Sequence, residues 1–214
     1  MAIECGQRWL RHSKCLERNI AVNEFPAWLA STLASDATEG RGVLPPWIGS
    51  LQSDARAVGP AFVALMSQDD NLSVREAIKA SPPPGSVLVV AGGSTSRTAT
   101  IGGLMALEMQ HAGIIALVTD GLVRDAKEIR QMGFDVWCRG VTPAASHKNG
   151  PAVLGGTVAI GGTIIRDGDL VIADEDGVVI WPKEHIDDLL ARAQAKLQED
   201  NARLLQLQEG EECL

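Results

Sequence analysis

The chain has 214 residues, with 19 Lys plus Arg against 27 Asp plus Glu, for a formal net charge of −8. Hydrophobic residues make up 45 % and charged residues 21 %, which excludes a disordered or collagen-like chain and is ample for a buried core. The acidic balance lacks the basic footprint of a nucleic-acid binder and, on charge alone, argues against a small anionic substrate. No apolar run approaches the roughly 18 residues of a membrane helix.

The N-terminal run MAIECGQRWLRHSKCLERN carries charges throughout and has no apolar h-region, so no secretory signal is expected. Cys5, Cys15, Cys138 and Cys213 are far apart with no C-x-x-C pair, which argues against a zinc site and a disulfide framework. The expectation is four free thiols in a reducing cytoplasm. In such a setting the sequon match Asn71-Leu72-Ser73 carries no weight.

The first forty or so residues have helical texture, with short helices expected at Ala27-Trp28-Leu29 and from Ser31 to Ala37. Pro45-Pro46 then forbids helix continuation. Ala61 to Met66 reads as a strand and Ser73 to Ala80 as a short helix. The turn Pro82-Pro83-Pro84-Gly85 leads into a buried strand, Val87 to Ala91. After the loop Gly92-Gly93-Ser94-Thr95-Ser96, Ala99 to His111 reads as a helix starting near Gly102. Ile114 to Thr119 is another apolar strand, Asp120-Gly121 a turn, and Arg124 to Gln131 a helix stopped by Gly133. Two strand–loop–helix units in a row predict a parallel sheet flanked by helices.

After Phe134 to Cys138 the helices stop. Ala152 to Ile160, Gly162 to Ile165, Leu170 to Ala173 and Val178 to Trp181 are short β-rich runs, and Arg166-Asp167-Gly168-Asp169 and Asp174-Glu175-Asp176-Gly177 are turns between them. This half reads as an antiparallel barrel or sheet. Pro182 opens a final helix from about Lys183 to Gln208, on which Leu190, Leu197 and Leu204 fall seven apart. That spacing suits packing on the parent domain, or a helix–helix contact between subunits. The chain reads as a single domain over 1–214, with an N-terminal extension over 1–23, a core over 24–182 and a C-terminal helical segment over 183–214.

There is no Walker A loop, no G-x-G-x-x-G and no G-x-S-x-G elbow. His12, His111, His147 and His185 have no metal spacing and read as surface or helix-end residues. Two places remain. The first is Thr100-Ile101-Gly102-Gly103-Leu104-Met105, where glycines at a helix start expose backbone N–H groups toward an anion; a plain tight turn explains it equally. The second is Asp120-Gly121-Leu122-Val123-Arg124-Asp125-Ala126-Lys127-Glu128, at a strand end where open α/β sheets put their ligands. Its structural reading is a helix cap, with Asp125 and Glu128 as a capping-box pair and Arg124 as a surface residue.

Gly102-Gly103-Leu104-Met105, the Ala/Leu-rich helix and His111 through Asp125 together closely resemble the RraA-like family, which includes the class II, metal-dependent pyruvate aldolases acting on 4-hydroxy-4-methyl-2-oxoglutarate and 4-carboxy-4-hydroxy-2-oxoadipate. That family's signature is a glycine followed about twenty residues later by R-D-x-x-[E/D]; here Gly103 and Arg124-Asp125-Ala126-Lys127-Glu128 match it. Ser35-Asp36-Ala37, Val58-Gly59-Pro60-Ala61, Asp70-Asn71-Leu72 and Pro84 to Val90 resemble its upstream segments, and Asp167-Gly168-Asp169 and Asp176 to Val179 its downstream turns.

The resemblance implies an α/β fold, a three-layer β/β/α sandwich of the swivelling-domain type with helical N- and C-terminal segments. It implies a homotrimer, sometimes doubled to a hexamer, with sites between subunits. It implies that the backbone of Gly102, Gly103, Leu104 and Met105 binds the substrate carboxylate. It also implies that Arg124 contacts the keto oxygen, that Asp125 holds Mg²⁺ or Mn²⁺, and that Glu128 orients metal-bound water. The implied reaction is retro-aldol cleavage of a 4-hydroxy-2-oxo acid to pyruvate and a second oxo acid through a metal-stabilised enolate, with oxaloacetate decarboxylation as a side activity. A hard ion that keeps its waters needs only one or two carboxylates, so a lone Asp125 suffices. No Schiff-base lysine is offered: Lys127 reads as a solvated helix residue.

One position departs from the family pattern. Many aldolase-type members have Glu or Asp where this chain has Gly103. An acid from a neighbouring subunit's C-terminal region also assists in such enzymes; Glu199 and Asp200 are candidates, with a solvated helix face as the plain alternative. The competing functions are a regulator that binds ribonuclease E by protein contact, a type that tends to lack the metal-binding Asp, and a lyase on the same scaffold with another oxo-acid substrate.

Overall fold

The structure is a computed structural model and describes residues 25–211, with side chains described to 208 in the last helix. Cys5, Cys15, Cys213, His12 and the whole N-terminal extension over 1–23 lie outside the described residues.

A short helix, α1 (Ser31–Ala37), precedes strands β1 (Gly49–Ser50) and β2 (Ala57–Leu65), helix α2 (Leu72–Lys79) and strand β3 (Val87–Ala91). Then come β4 (Ala99–Ile101), α3 (Gly103–His111), β5 (Ala116–Thr119), β6 (Leu122–Val123), α4 (Ala126–Met132), β7 (Asp135–Cys138) and β8 (Gly140–Val141). The second half runs β9 (Val153–Leu154), β10 (Thr157–Ile160), β11 (Thr163–Arg166), β12 (Leu170–Ala173) and β13 (Val178–Trp181). A 3₁₀ turn, Lys183–His185, leads into the long helix α5 (Ile186–Glu211).

The main sheet has the order β1-β7-β5-β3-β2-β12-β13, with β9 also on β2. Strands β2, β3, β5 and β7 are parallel, and each is joined to the next through a helix. Because each new strand adds on the same side, right-handed crossovers place α2, α3 and α4 on one face. The side-chain alternation of β3 sorts the two faces. Leu88 and Val90 join Val74, Ala77, Ala106, Met109 and Ile129 of the helices, whereas Val87, Val89 and Ala91 join Val158, Ile160 and Ile165 of the β10–β11 hairpin. A further cluster joins Val58, Leu170, Ile172 and Val179 of the sheet to Ala34 of α1 and to Leu189 and Ala193 of α5.

The predicted parallel units are present, and so is the antiparallel half, but that half is not separate. β12 pairs antiparallel with β2, so one mixed sheet runs through the molecule; only β10–β11 stands apart as a hairpin. Asp167 fastens the chain beside this join: its Oδ1 accepts the Val63 N–H at 2.8 Å and its Oδ2 the Gly156 N–H at 2.9 Å. Ala27 and Trp28 form a turn instead of the expected helix, since Arg56 Nη2 draws the carbonyls of Ala27 and Leu29 outward at 2.8 and 3.0 Å.

The expected helix from Ala99 divides in two. Ala99–Ile101 is a strand, part of a small parallel sheet ordered β4-β6-β8, and the helix starts at Gly103, beside the expected start near Gly102. Tertiary pairing overrides helical texture here: Ala99 pairs with Leu122, and the Arg124 N–H donates to Ile101 O at 3.0 Å. Of the three leucines on α5, Leu190 packs against the sheet's helical cluster, while Leu204 is exposed. His111, His147 and His185 lie at the surface, as does Lys127. Cys138 is a buried free thiol. Among the described residues no helix is long and apolar enough to cross a membrane.

Candidate functional site

The little β4-β6-β8 sheet brings the two sequence-predicted segments together. β4 ends at Ile101 and hands the chain to Gly102, the N-cap of α3. β6 ends at Val123 and hands it to Arg124 and Asp125. Parallel pairing of β4 and β6 sets these two ends side by side. Asp125 Oδ2 accepts the Gly103 N–H at 3.0 Å, and Arg124 Nε lies 3.6 Å from the same oxygen.

Asp125 is therefore not the helix cap that local sequence suggests. It precedes α4 with φ +56° and ψ +38°, a left-handed conformation, and makes no side-chain cap bond to its own helix. The strained backbone turns its carboxylate toward α3, where it caps the neighbouring helix. Its side chain is 43 % exposed and that of Arg124 41 %, so a cation and a carboxylate stand open together.

Gly102 and Gly103 play different parts. A Cβ at Gly102 would lie 2.5 Å from Asp125 Oδ2 and 2.8 Å from Arg124 Nε, so any larger residue here would displace the two side chains from their present positions over this backbone. A Cβ at Gly103 would meet Glu128 Cβ at 3.4 Å and Asp125 Cβ at 3.5 Å, ordinary contacts. A side chain could therefore start there, next to Asp125 and Glu128. By helix geometry the Leu104 and Met105 amides in the first turn of α3 have no intrahelical partner, and the helix dipole adds to their pull on an anion. Leu104 itself is 61 % exposed at this mouth.

Glu128 is exposed on the first turn of α4, with its Cβ facing Gly103. Glu199 and Asp200 are exposed on α5, away from these strand ends; Asp200 takes Lys196 Nζ at 2.6 Å and Lys196 also reaches Asp36 at 3.9 Å. Within one chain neither is brought to Asp125. Among the described residues no three His, Cys, Asp or Glu side chains converge on a metal position. The donor set at Asp125 suits only a hard ion that keeps most of its water.

Sequence reasoning missed two supports of this region. Asp120, 5 % exposed at the end of β5, accepts the Gly93 N–H at 2.7 Å and the Gly92 N–H at 3.3 Å. Burial pushes its carboxyl above the ordinary range, partly offset by the Gly93 and Gly92 amides. Arg139 clamps the same loop, donating to Asp120 O at 3.3 Å and to Ser96 O at 2.7 Å. The Asp120-Gly121 turn signal was visible, but nothing local shows which backbone a turn aspartate will bind. A cavity of about 620 Å³ lined by Arg56, Arg130 and Asp135 sits at the start of β7. That is the opposite end of the parallel strands from Arg124, and not where such sheets place ligands.

Residues 31–180 match the family model RraA-like, described as Aldolase/RraA. A Halalkalibacterium halodurans protein, provisionally named 4-hydroxy-4-methyl-2-oxoglutarate aldolase, is 35 % identical over 176 residues, covering 82 % of this chain and 83 % of its own. Streptomyces coelicolor RraAS2, described as an unusual member of the RNase ES inhibitor RraA protein family, has a similar structure, with a TM-score of 0.71 and 28 % identity over 82 % of this chain and 93 % of its own. The RNA-processing inhibitor RraA of Thermus thermophilus superposes with a TM-score of 0.66 at 30 % identity, covering 72 % of this chain and 93 % of its own. The family match spans the mixed sheet, the helices on its face and the Gly102–Asp125 junction, and with it the chain belongs to the RraA-like family.

Proposed function

We propose that the chain is a divalent-metal-dependent carbon–carbon lyase. It cleaves a 4-hydroxy-2-oxo acid to pyruvate and a second oxo acid, and decarboxylates oxaloacetate as a side reaction. The observation that carries this reading is the open Arg124–Asp125 pair beside the Gly102–Met105 backbone. The relatives named as aldolases support it, as does the fit of Asp125 to a hydrated hard ion, Mg²⁺ or Mn²⁺. The finer architecture proposed with it is the three-layer β/β/α swivelling-domain arrangement, assembled as a homotrimer or hexamer. Subunit contacts would then close a site that is open in one chain.

Such an ion, held by Asp125, would supply Lewis-acid polarisation of the substrate's keto oxygen. The chain's own residues supply the rest. The Leu104 and Met105 amides bind the C1 carboxylate and fix its orientation. The Arg124 guanidinium, which cannot lose its proton at any working pH, faces the C2 oxygen. As water at the mouth takes the 4-hydroxyl proton, the oxygen's pair forms C4=O, the C3–C4 bond breaks, its pair forms C2=C3, and the C2=O pair moves onto the C2 oxygen as negative charge beside Arg124. A proton delivered to C3 then gives pyruvate. Glu128, facing Gly103, is placed to orient water at the same mouth.

Pyruvate release from 4-hydroxy-4-methyl-2-oxoglutarate, and CO₂ release from oxaloacetate, measured with added Mg²⁺ and again with EDTA, tests the reading. Turnover that EDTA abolishes is expected; inertness with both substrates would sink it. The second reading is a regulator acting on a ribonuclease by protein contact, and the two RraA structures favour it. The retained Asp125 and the room around it favour catalysis. A lyase for a different oxo acid would keep the Arg124–Asp125 dependence and change only the substrate.

A further inference from the structure

We propose that Asn71 is a positioning residue that sets the carboxylate-binding backbone of Gly102–Met105 from beneath; this rests on reading that backbone as the substrate's carboxylate cradle. Asn71 lies in the turn between β2 and α2 and is 4 % exposed. Its own backbone is held at both ends: its N–H donates to His147 O at 3.0 Å, and its carbonyl accepts the Arg75 N–H at 3.3 Å. From that anchored position Nδ2 donates to Thr100 O at 2.8 Å and reaches Met105 Sδ at 3.5 Å. Thr100 and Met105 bracket the cradle, one on the incoming strand and one in the first turn of α3. A single amide group therefore ties both ends of the segment whose N–H groups must aim at one carboxylate.

The other half of the amide is informative. Asn71 Oδ1 is buried with no hydrogen-bond partner among the described residues. Leaving a buried acceptor unpaired is costly, and an apolar side chain would avoid that cost if packing were the purpose. Flipping the amide would set Oδ1 against Thr100 O, two acceptors face to face, so the orientation follows from the Thr100 contact. Natural sequences break the rule of satisfied buried polar groups mainly at functional sites. The neighbouring residues show the same division of labour. Asp69 accepts the Arg97 N–H at 2.7 Å, and Asp70 accepts those of Asn149 and Gly150 at 2.6 and 2.9 Å. Three successive side chains each hold a different loop, and the one reaching the cradle is the neutral one. A carboxylate at 71 would lose both donations and place negative charge under a site built for an anion.

Asn71→Asp, nearly isosteric, is the test, read by titration of pyruvate in the presence of Mg²⁺ and by kinetics with 4-hydroxy-4-methyl-2-oxoglutarate. The expected result is a rise of about tenfold or more in pyruvate Kd and in KM, with kcat within about threefold and Mn²⁺ affinity without pyruvate unchanged. Ser73→Ala is the control: it breaks the buried Ser73 Oγ to Leu65 O bond on the same helix, should lower Tm, and should leave pyruvate Kd alone. Pyruvate binding that Asn71→Asp leaves at the wild-type value, or that Ser73→Ala weakens equally, overturns the proposal. Should Asn71→Asp fail to fold, Asn71→Ala is read the same way. Hydrogen exchange at the Leu104 and Met105 amides, measured without ligand, separates the two levels. Faster exchange in the Asn71 variants supports positioning even if the wild type binds no pyruvate, a result that would remove the lyase reading itself. Unchanged exchange overturns positioning whatever the protein binds.

Discussion

The same small device is built twice in this molecule, once closed and once open. At the end of β5, Asp120 accepts the amides of Gly92 and Gly93, and Arg139 spans the loop carbonyls beside it. At the end of β6, Asp125 accepts the amide of Gly103, and Arg124 stands at its carboxylate. Each is an aspartate, a glycine pair and an arginine at the C-terminal end of a parallel strand. Burial separates them. Asp120 is 5 % exposed and its partner arginine is spent on carbonyls; the Asp125 side chain is 43 % exposed and faces a free-standing guanidinium. The closed copy is structural glue, and the open copy has lone pairs and charge left for a ligand.

The largest expected effect breaks the open copy. Asp125→Ala should lower turnover at least about 100-fold while the unfolding midpoint in urea barely moves, and Arg124→Ala should do the same; Arg124→Lys should not restore it, since a point charge replaces a fixed planar fork. Wild-type turnover by Asp125→Ala would remove the metal assignment. The reverse pattern is expected of the closed copy. Asp120→Ala leaves two amides unpaired at roughly 1–3 kcal/mol each, so denaturant unfolding should show a large loss of stability, with any surviving folded protein keeping its pyruvate Kd.

Smaller changes sharpen the contrast within the open copy. Gly102→Ala pushes a methyl group against Asp125 Oδ2, 2.5 Å away, and should cost about tenfold in turnover with little loss of Tm. A Cβ at Gly103 meets only ordinary contacts, and Gly103→Asp places an acid at the start of α3 beside Asp125 and Glu128. Repulsion from Asp125 and Glu128 opposes the gain at the helix dipole, so Tm in EDTA should not rise, while the Mg²⁺ concentration needed for half-maximal activity should fall. If Gly102→Ala and Gly103→Asp behave alike, the steric distinction between the two glycines fails.

The smallest effect is one of pH. The Asp120 carboxyl titrates above its unfolded value because it is buried, so the folded state binds its proton more tightly. Its contribution to stability is fullest below the ordinary carboxylate range. It declines as pH rises from that range through the raised folded value. Asp120→Asn removes this titration, so the stability difference between wild type and variant should shrink in the wild type's disfavour as pH climbs through that window. A difference that is flat with pH would show that the carboxyl is not perturbed.

Much of this was legible in the sequence, for physical reasons that can be named. Val87–Ala91, Leu170–Ala173 and Val178–Trp181 are short apolar runs bounded by turn residues, and each became a strand with those bounds. Gly133 ends α4 in a left-handed conformation because glycine alone enters it freely. The spacing from Gly103 to Arg124-Asp125 and Glu128 marked the family. Local signals failed where partners came from elsewhere in the chain. Ala99–Ile101 looked helical and became a strand through pairing with β6; Asp125 looked like the cap of its own helix and caps another. The net charge of −8 also counts acids such as Asp120, Asp167 and Asp70 that backbone amides take up, so it does not describe the surroundings of Arg124.

By itself, then, the sequence determined the strands and helices set by turn chemistry and apolar alternation, the family, and which residue types stand near the strand ends. Only the tertiary structure decided which aspartate is buried and closed and which is open, that a Cβ at Gly102 crowds Arg124 and Asp125 while one at Gly103 does not, and that Asn71 ties Thr100 to Met105. Hydrogen-bond partners 22 to 34 residues apart are chosen by how strands register and helices cross, and no local pattern carries that information.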